Sequence, residues 1–554
     1  MCAFAFVAGL AFLPLPGLHY DEILFLHPFL NDWALYRNRL FGQEIPLMLM
    51  SYVGALKTWL YWPLYTWLPP SVWVVRLPTL LVGCANIWLI YRLGGRLWNP
   101  RAGVLAAALA ATDPTFLLTH VFDWGPIAIQ VLLSLLAALA FLRWKDSGAT
   151  RWLAACGFCC GLAQWNKAIF GWILVSVVIA AAICWPRILL LWRHIGHFRP
   201  QVSAIVWAVA CFLVGAAPFI SYNLSSQSNT VRDIFRFEST FPAHKLSAAH
   251  ASLAGNHIAS SIGFSAVWQG ECTDGSLQSL SGRTPIPARL QLFPESTWTP
   301  YALLAGAILL LCFWKQPAGR TGLFMLLVFA VHCGLAMASI RGGTGMHHYA
   351  PVLPAVFLAI GGAWTTVLAW VERRTASSNA RRVILAVAVF LPVLAAATLC
   401  GWWQRATYCG CQDIWSDASQ KLASRATARP EQRFYAVDWG IDPQAIYLSE
   451  KRGNVKFLGV LVDGPVENGP KYEEAAAILA DPATRLVSFR PGAEIIAEHK
   501  ATLMALLEIH DCHLVHEDWI TDSSGRSVYA VWRLEPGRSR VEKQDDGELA
   551  IGAK

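Results

Sequence analysis

Apolar residues fill the first 402 positions in long stretches, interrupted by short connections rich in Pro, Gly and Arg. Crossing about 30 Å of hydrocarbon takes roughly 17–25 apolar residues in a helix, and fewer where helices break or end in polar cavities. Spans are predicted on that measure at 1–18, 72–91, 102–119, 125–142, 152–165, 168–185, 203–222, 299–314, 321–339, 350–370 and 383–402. After Trp402 the pattern changes to soluble alternation. Strands are predicted at 434–437, 455–462, 485–489, 513–515 and 528–532, and helices at 471–480 and 493–509. The chain therefore reads as a polytopic α-helical membrane protein with about eleven transmembrane helices in 1–402. A soluble α/β domain follows at 403–540, with a charged, disordered end at 541–554.

Composition agrees with this division. The 554 residues are 55% hydrophobic and 14% charged, against about 25% charged in a soluble domain. So few charges cannot cover the surface of a soluble core of this size, and the same numbers exclude disordered and fibrous classes. The formal net charge of +8 hides two different regions. Residues 403–554 hold 18 Lys+Arg against 23 Asp+Glu, a balance of −5, and the first 402 residues carry +13.

That surplus falls on alternate connections. Arg92, Arg96 and Arg101 lie in one, and Arg143, Lys145 and Arg151 in the next. Further along come Arg187, Arg193 and Arg199, then Lys315 and Arg320, then Arg373, Arg374, Arg381 and Arg382. Only Asp146 and Glu372 oppose these 15 bases. The positive-inside rule makes this face cytoplasmic, so the N-terminus is expected inside and the C-terminal domain outside. The outer loops are then 19–71, 112–124, 223–298 and 341–349, and chemistry is expected among them.

Ionisable residues at membrane depth are costly and mark function. Asp21 and Glu22 directly follow the first helix. The stretch from Ile45 to Pro70, rich in Trp, Tyr, Pro and Leu around Lys57, suits helices lying in the interface. Asp113 and Asp123 sit in short outer turns, and Lys167 stands in the polar break Trp165-Asn166-Lys167. The run from Arg341 to Tyr349 brings a base, a Gly-rich bend and His347-His348 to a helix start, an arrangement able to hold a phosphate. The histidine pair reads as structural before it reads as metal ligands. No cofactor is specified, no metal site is indicated, and a divalent ion is left open.

These residues resemble the GT-C glycosyltransferases, specifically glycosyltransferase family 39, which includes protein O-mannosyltransferases and bacterial aminoarabinose transferases. The likeness rests on Asp21-Glu22 after the first helix, on "PSVWVVRLPTLLVGCANIWLIYRLGGRLWNPRAGVLAAALAATDPTFLL", and on "MHHYAPVLPAVFLAI". It covers residues 15–170 and 341–370. The resemblance implies a multi-pass enzyme of the bacterial inner membrane that moves a sugar from a polyprenyl-phosphate donor to an extracytoplasmic acceptor. It implies Asp21 as the catalytic carboxylate, Glu22 as its supporting acid and Lys57 at the donor phosphate.

Chemistry supports the same roles. A departing glycosyl phosphate needs a base for the incoming nucleophile and cations for the leaving anion, which Asp21 with Lys57, Arg341 and Lys167 would supply. Asp113, Asp123, His347, His348 and Tyr349 are further substrate-site candidates. The chain has no P-loop or GxGxxG, so the partners expected are the lipid-linked donor, membrane lipid and an unspecified acceptor, with no nucleic acid. Two other readings stay open: a flippase for lipid-linked glycans, and an oligosaccharyltransferase or ligase of related fold. A flippase would carry repeated halves with polar residues at mid-helix, and no such repeat is visible.

Overall fold

The computed structural model describes residues 1–30, 34–40, 42–186, 199–227, 229–234, 236–237, 243–263, 294, 296–339, 345–374, 378–449, 453–463 and 470–536. Two compact units are present, Met1–Trp415 and Ser416–Lys554.

The first unit is helical. Among the described residues, five helices are long and apolar enough to cross a membrane: Val72–Leu97, Ile127–Ser147, Pro317–Ala338, Met346–Arg374 and Asn379–Thr407. Two bent pairs bring the number to seven, and Cys2–Phe12, Phe170–Cys184 and Thr299–Cys312 are shorter apolar helices. The eleven predicted spans are thus not confirmed among the described residues. Pro14 and Pro16 lie just beyond the first helix and cannot continue its hydrogen-bond ladder, and Thr150–Asn166 has 17 residues. Pro100–Thr112 and Pro114–Phe122 meet at 62° because Pro114 lacks an N–H and Asp113 is extended. Helices Val72–Leu97 and Pro100–Thr112 pack glycine on glycine: a Cβ on Gly94 would lie 2.8 Å from the Gly103 Cα. Small residues allow that approach where no water drives helices together.

Connections predicted to share the basic side touch one another. Arg96 pairs with Asp146, Arg101 with Glu372 at 3.2 Å, and the Trp98 indole donates to the Ala318 carbonyl at 3.0 Å.

The first outer loop departs from expectation. Where an interfacial helix is expected, helix Leu56–Trp67 leaves Leu60, Trp62 and Trp67 exposed, but the preceding stretch forms a three-stranded antiparallel sheet. The strands are Tyr36–Leu40, Gln43–Met50 and Val53–Gly54. Leu47, Met48 and Leu49 are consecutive buried residues, so the strand hides both faces and shows no alternation. Its position is fixed by Trp165, whose indole donates to the Leu47 carbonyl at 2.8 Å, and by a bridge from Val53 to Lys167. Gly54 permits this: a Cβ there would lie 2.0 Å from the Trp165 carbonyl oxygen. The sheet therefore holds Lys167 in place. In the loop 223–298, helices Asn229–Ile234, Ala243–Ala254 and Asn256–Ile262 are described.

The second unit has a five-stranded sheet in the order Val455–Phe457, Arg433–Ala436, Thr484–Phe489, Ser527–Pro536, Cys512–Thr521. The first three run parallel and the last two pairings are antiparallel. The strand predicted over 455–462 stops at Phe457, and Val460–Asp463 turns helical, with the Leu461 N–H donating back to the Leu458 carbonyl. Asp438 accepts from the Ile495 and Ile496 N–H groups at 2.7 and 3.1 Å and closes a strand-end turn. The predicted disordered end, 541–554, lies outside the described residues.

Candidate active site

The site is built on the turn that follows the first helix. His19 caps the short helix Tyr20–Ile23: its Nδ1 accepts from the Asp21 N–H at 3.1 Å, and its own N–H donates to Glu22 Oε2 at 2.9 Å. This reciprocal cap sends Glu22 inward and leaves Asp21 at the mouth. An accepting Nδ1 requires the uncharged ring, and burial together with Arg76 pulls the His19 pKa down to about 3.

Glu22 is fully engaged. Arg76 binds it through two hydrogen bonds of 2.7 Å, Nε to Oε1 and Nη2 to Oε2. The same guanidinium donates to the carbonyls of Leu13, Pro16 and Gly17 at 2.6–2.8 Å and lies over the Phe122 ring. Both side chains are buried. Arg76 escapes the sequence reading, although it stands in the quoted helix; the signal was a lone arginine near the start of a span.

The second acid is engaged as well. Lys57 is 0% exposed and its Nζ lies 2.7 Å from Asp123 Oδ2, itself 2% exposed. Phe25 and Tyr61 present their rings to the ammonium at 4.7 and 5.5 Å. Asp123 ends helix Pro114–Phe122 in the left-handed region, φ 46°, and its Oδ1 accepts from the Ala128 N–H. The partner of Lys57 is thus an aspartate, and the ammonium is not open to a donor phosphate.

Asp21 differs from both. Its side chain keeps 23% of its surface exposed. The uncharged His19 ring lies 3.9 Å from its carboxylate. Burial pushes the Asp21 pKa up to about 6, against the Lys167 cation and the Trp124 hydrogen bond and assisted by the Glu22 charge. Lys167 donates to the Gly125 carbonyl at 3.1 Å. Burial pulls its pKa down to about 8, against the attraction of Asp21 and Asp123. Around Asp21 lie aromatic groups: His19 stacks on Trp415 at 4.3 Å, and Trp124 stands 5.1 Å from His19 and 6.1 Å from His347.

The other candidates divide. His347 reaches the cluster through Trp124, and His348 lies beside it, with ring centroids 4.2 Å apart. The His348 carbonyl accepts from His332 Nε2 at 2.8 Å, a structural contact. Tyr349 is buried in a hydrophobic cluster and donates to the Lys245 carbonyl at 3.3 Å, so it is a packing residue and not an open ligand. Asp113 is an N-cap: one oxygen accepts from the Phe116 N–H at 2.9 Å and the other from Thr299 at 3.3 Å. Both oxygens serve the helix bend, which corrects its reading as a substrate-site residue. Arg341 lies outside the described residues.

The buried Lys57–Asp123 pair yields a prediction. Removing one partner of such a pair costs about 3–5 kcal/mol, because the other charge stays buried without compensation. Lys57→Met should therefore lower the apparent Tm more than the double variant Lys57→Met with Asp123→Asn, in which no charge is stranded. Thermal unfolding followed by size-exclusion chromatography checks this, and a double variant no more stable than Lys57→Met would contradict the pairing.

Residues 53–222 match the family model described as dolichyl-phosphate-mannose-protein mannosyltransferase. No curated protein sequence matches the chain. Among solved structures, ArnT from Cupriavidus metallidurans bound to undecaprenyl phosphate aligns at 14% identity with a TM-score of 0.55. The apo form of the same protein aligns at 16% identity and 0.51, and each alignment covers 96% of this chain and 96% of the other. The chain is thus similar to the protein mannosyltransferases across residues 53–222, and it shares the fold of the ArnT structures along its length.

Proposed function

We propose that the chain transfers a sugar from a polyprenyl-phosphate donor to an extracytoplasmic acceptor, with Asp21 as the general base. One observation carries this reading. Three carboxylates gather at one end of the helices; Arg76 holds Glu22, Lys57 holds Asp123, and among the described residues Asp21 alone of the three has no Lys or Arg within 4 Å and keeps 23% of its side chain exposed. The basic end of the helices is taken as cytoplasmic, which sets this site on the outer face of a bacterial inner membrane.

In the proposed reaction the acceptor hydroxyl or amine gives its proton to Asp21 as its lone pair attacks the anomeric carbon. The bond from that carbon to the phosphate oxygen breaks, and polyprenyl phosphate leaves with the electron pair. With a single carboxylate acting on one face and none as nucleophile, the configuration inverts, by analogy with glycoside hydrolysis. Lys167 offsets the charge that grows on the leaving phosphate, an effect strengthened where water is sparse. Glu22 and Arg76 hold the turn that presents Asp21. Lys57 acts at one remove, by holding Asp123 and through it the turn carrying Trp124.

Likeness to ArnT, whose structure was solved with undecaprenyl phosphate, supports a lipid-phosphate carrier over a soluble donor. The pH dependence tests the pairing of base and cation. Asp21 must be ionised to accept a proton, so transfer rises with pH through about 6. Lys167 must be protonated, so transfer falls again above about 8. The rate should be measured in proteoliposomes with saturating labelled donor. The Lys167→Arg variant keeps its cation and should lose the alkaline limb only. An unchanged alkaline limb in that variant would remove Lys167 from the mechanism.

A further inference from the structure

At the opposite end of the helices, away from Asp21, a cavity of about 630 Å³ opens between helices Val72–Leu97, Ile127–Ser147 and Thr150–Asn166. Leu89, Leu136, Leu139, Arg92, Arg96 and Arg143 stand among its lining residues. The charge on these arginines is unevenly answered. Arg96 pairs with Asp146, one of two acids expected on this whole face. Arg92 and Arg143 have no carboxylate partner among the described residues; each lies over an indole, Arg92 at 5.3 Å from Trp88 and Arg143 at 5.6 Å from Trp152.

We propose that this cavity binds an anionic membrane phospholipid, its phosphodiester between Arg92 and Arg143 and an acyl chain along the leucines. Three features select that occupant. A guanidinium stacked on an indole keeps its N–H edge available, and that edge matches phosphate oxygens. The walls are apolar enough to receive a chain, and Trp88 and Leu136 are 51% and 37% exposed, so the cavity opens sideways to lipid and not only to water. The surplus of positive charge on this face draws anionic headgroups. The sugar carrier of the proposed reaction also joins a phosphate to a long chain, but its phosphate belongs by that proposal at the other end, beside Lys167. The lipid site does not depend on the transfer reaction.

Native mass spectrometry of the detergent-purified protein with added lipid tests this. The wild type should retain phosphatidylglycerol over phosphatidylcholine. Each arginine replaced by glutamine should weaken retention about fivefold, so Arg92→Gln with Arg143→Gln should weaken it about 25-fold. Phosphatidylglycerol should also raise the apparent Tm of the wild type and leave that of the double variant unchanged. Four outcomes would overturn the proposal: equal retention by the double variant, equal binding of phosphatidylcholine, the same Tm gain in both proteins, or retained lipid displaced by undecaprenyl phosphate but not by excess phosphatidylglycerol. If the double variant fails to fold, the single variants and the lipid preference of the wild type decide the question alone.

Discussion

Replacing Asp21 with Asn is expected to cut sugar transfer by about 10²- to 10⁴-fold while leaving the protein folded and at least as stable. Asparagine has the same shape, but it has no charge and takes no proton. The stability half of the expectation follows from the sign of the pKa shift. In the folded protein the Asp21 carboxyl titrates at about 6, above its value in the unfolded chain, so folding favours its neutral form. At neutral pH the ionised group therefore works against folding, and its neutral replacement removes that opposition. A residue kept for structure would show the reverse. Transfer assays in membranes, paired with thermal unfolding at pH 7.5, separate the cases: lost stability with retained transfer would assign Asp21 to the scaffold.

Glu22 and Arg76 are expected to behave in the opposite way. Glu22→Gln leaves the Arg76 cation buried with three carbonyls and no anion, a loss of about 3–5 kcal/mol. Arg76→Met should be worse. It strands the Glu22 carboxylate and also leaves the Leu13, Pro16 and Gly17 carbonyls without their donor, at about 1–3 kcal/mol each. Arg76→Lys should not rescue it, because an ammonium cannot reproduce the two-pronged contact with Glu22. The readout is the yield of monodisperse protein and its apparent Tm, expected to fall in the order wild type, Glu22→Gln, Arg76→Met. An Arg76→Met protein that unfolds with the wild type would contradict the anchoring role.

The adjacent acids Asp21 and Glu22 thus carry different jobs, and this is where the sequence was silent. The pair is visible after the first helix, but the residue that separates their roles lies 54 positions away on a helix that reads as apolar. Lys57 and Asp123 present the same problem: each reads as an available charge until the fold brings them 2.7 Å apart. Lys167 was easier, because Trp165-Asn166-Lys167 interrupts two apolar runs and an interruption is local. The sheet at Gln43–Met50 was missed because consecutive buried residues remove the alternation that marks a strand. In the second unit most elements were legible, since helices and strands there cover one face and show their period. Ion pairs between distant segments leave no such local trace. Glu22 and Arg76 meet at the start of helix Val72–Leu97, and Arg96 with Asp146 lies at its other end.

The most direct test of the account is a single-turnover assay of purified protein in proteoliposomes with a sugar labelled on a polyprenyl-phosphate carrier. The donor should be consumed, polyprenyl phosphate released, and the label recovered on an acceptor from envelope extract with inverted configuration. The same sugar on a nucleotide should give no product. Transfer from the nucleotide, or an intact lipid-linked donor across a panel of sugars with folded protein and extract present, would contradict the account.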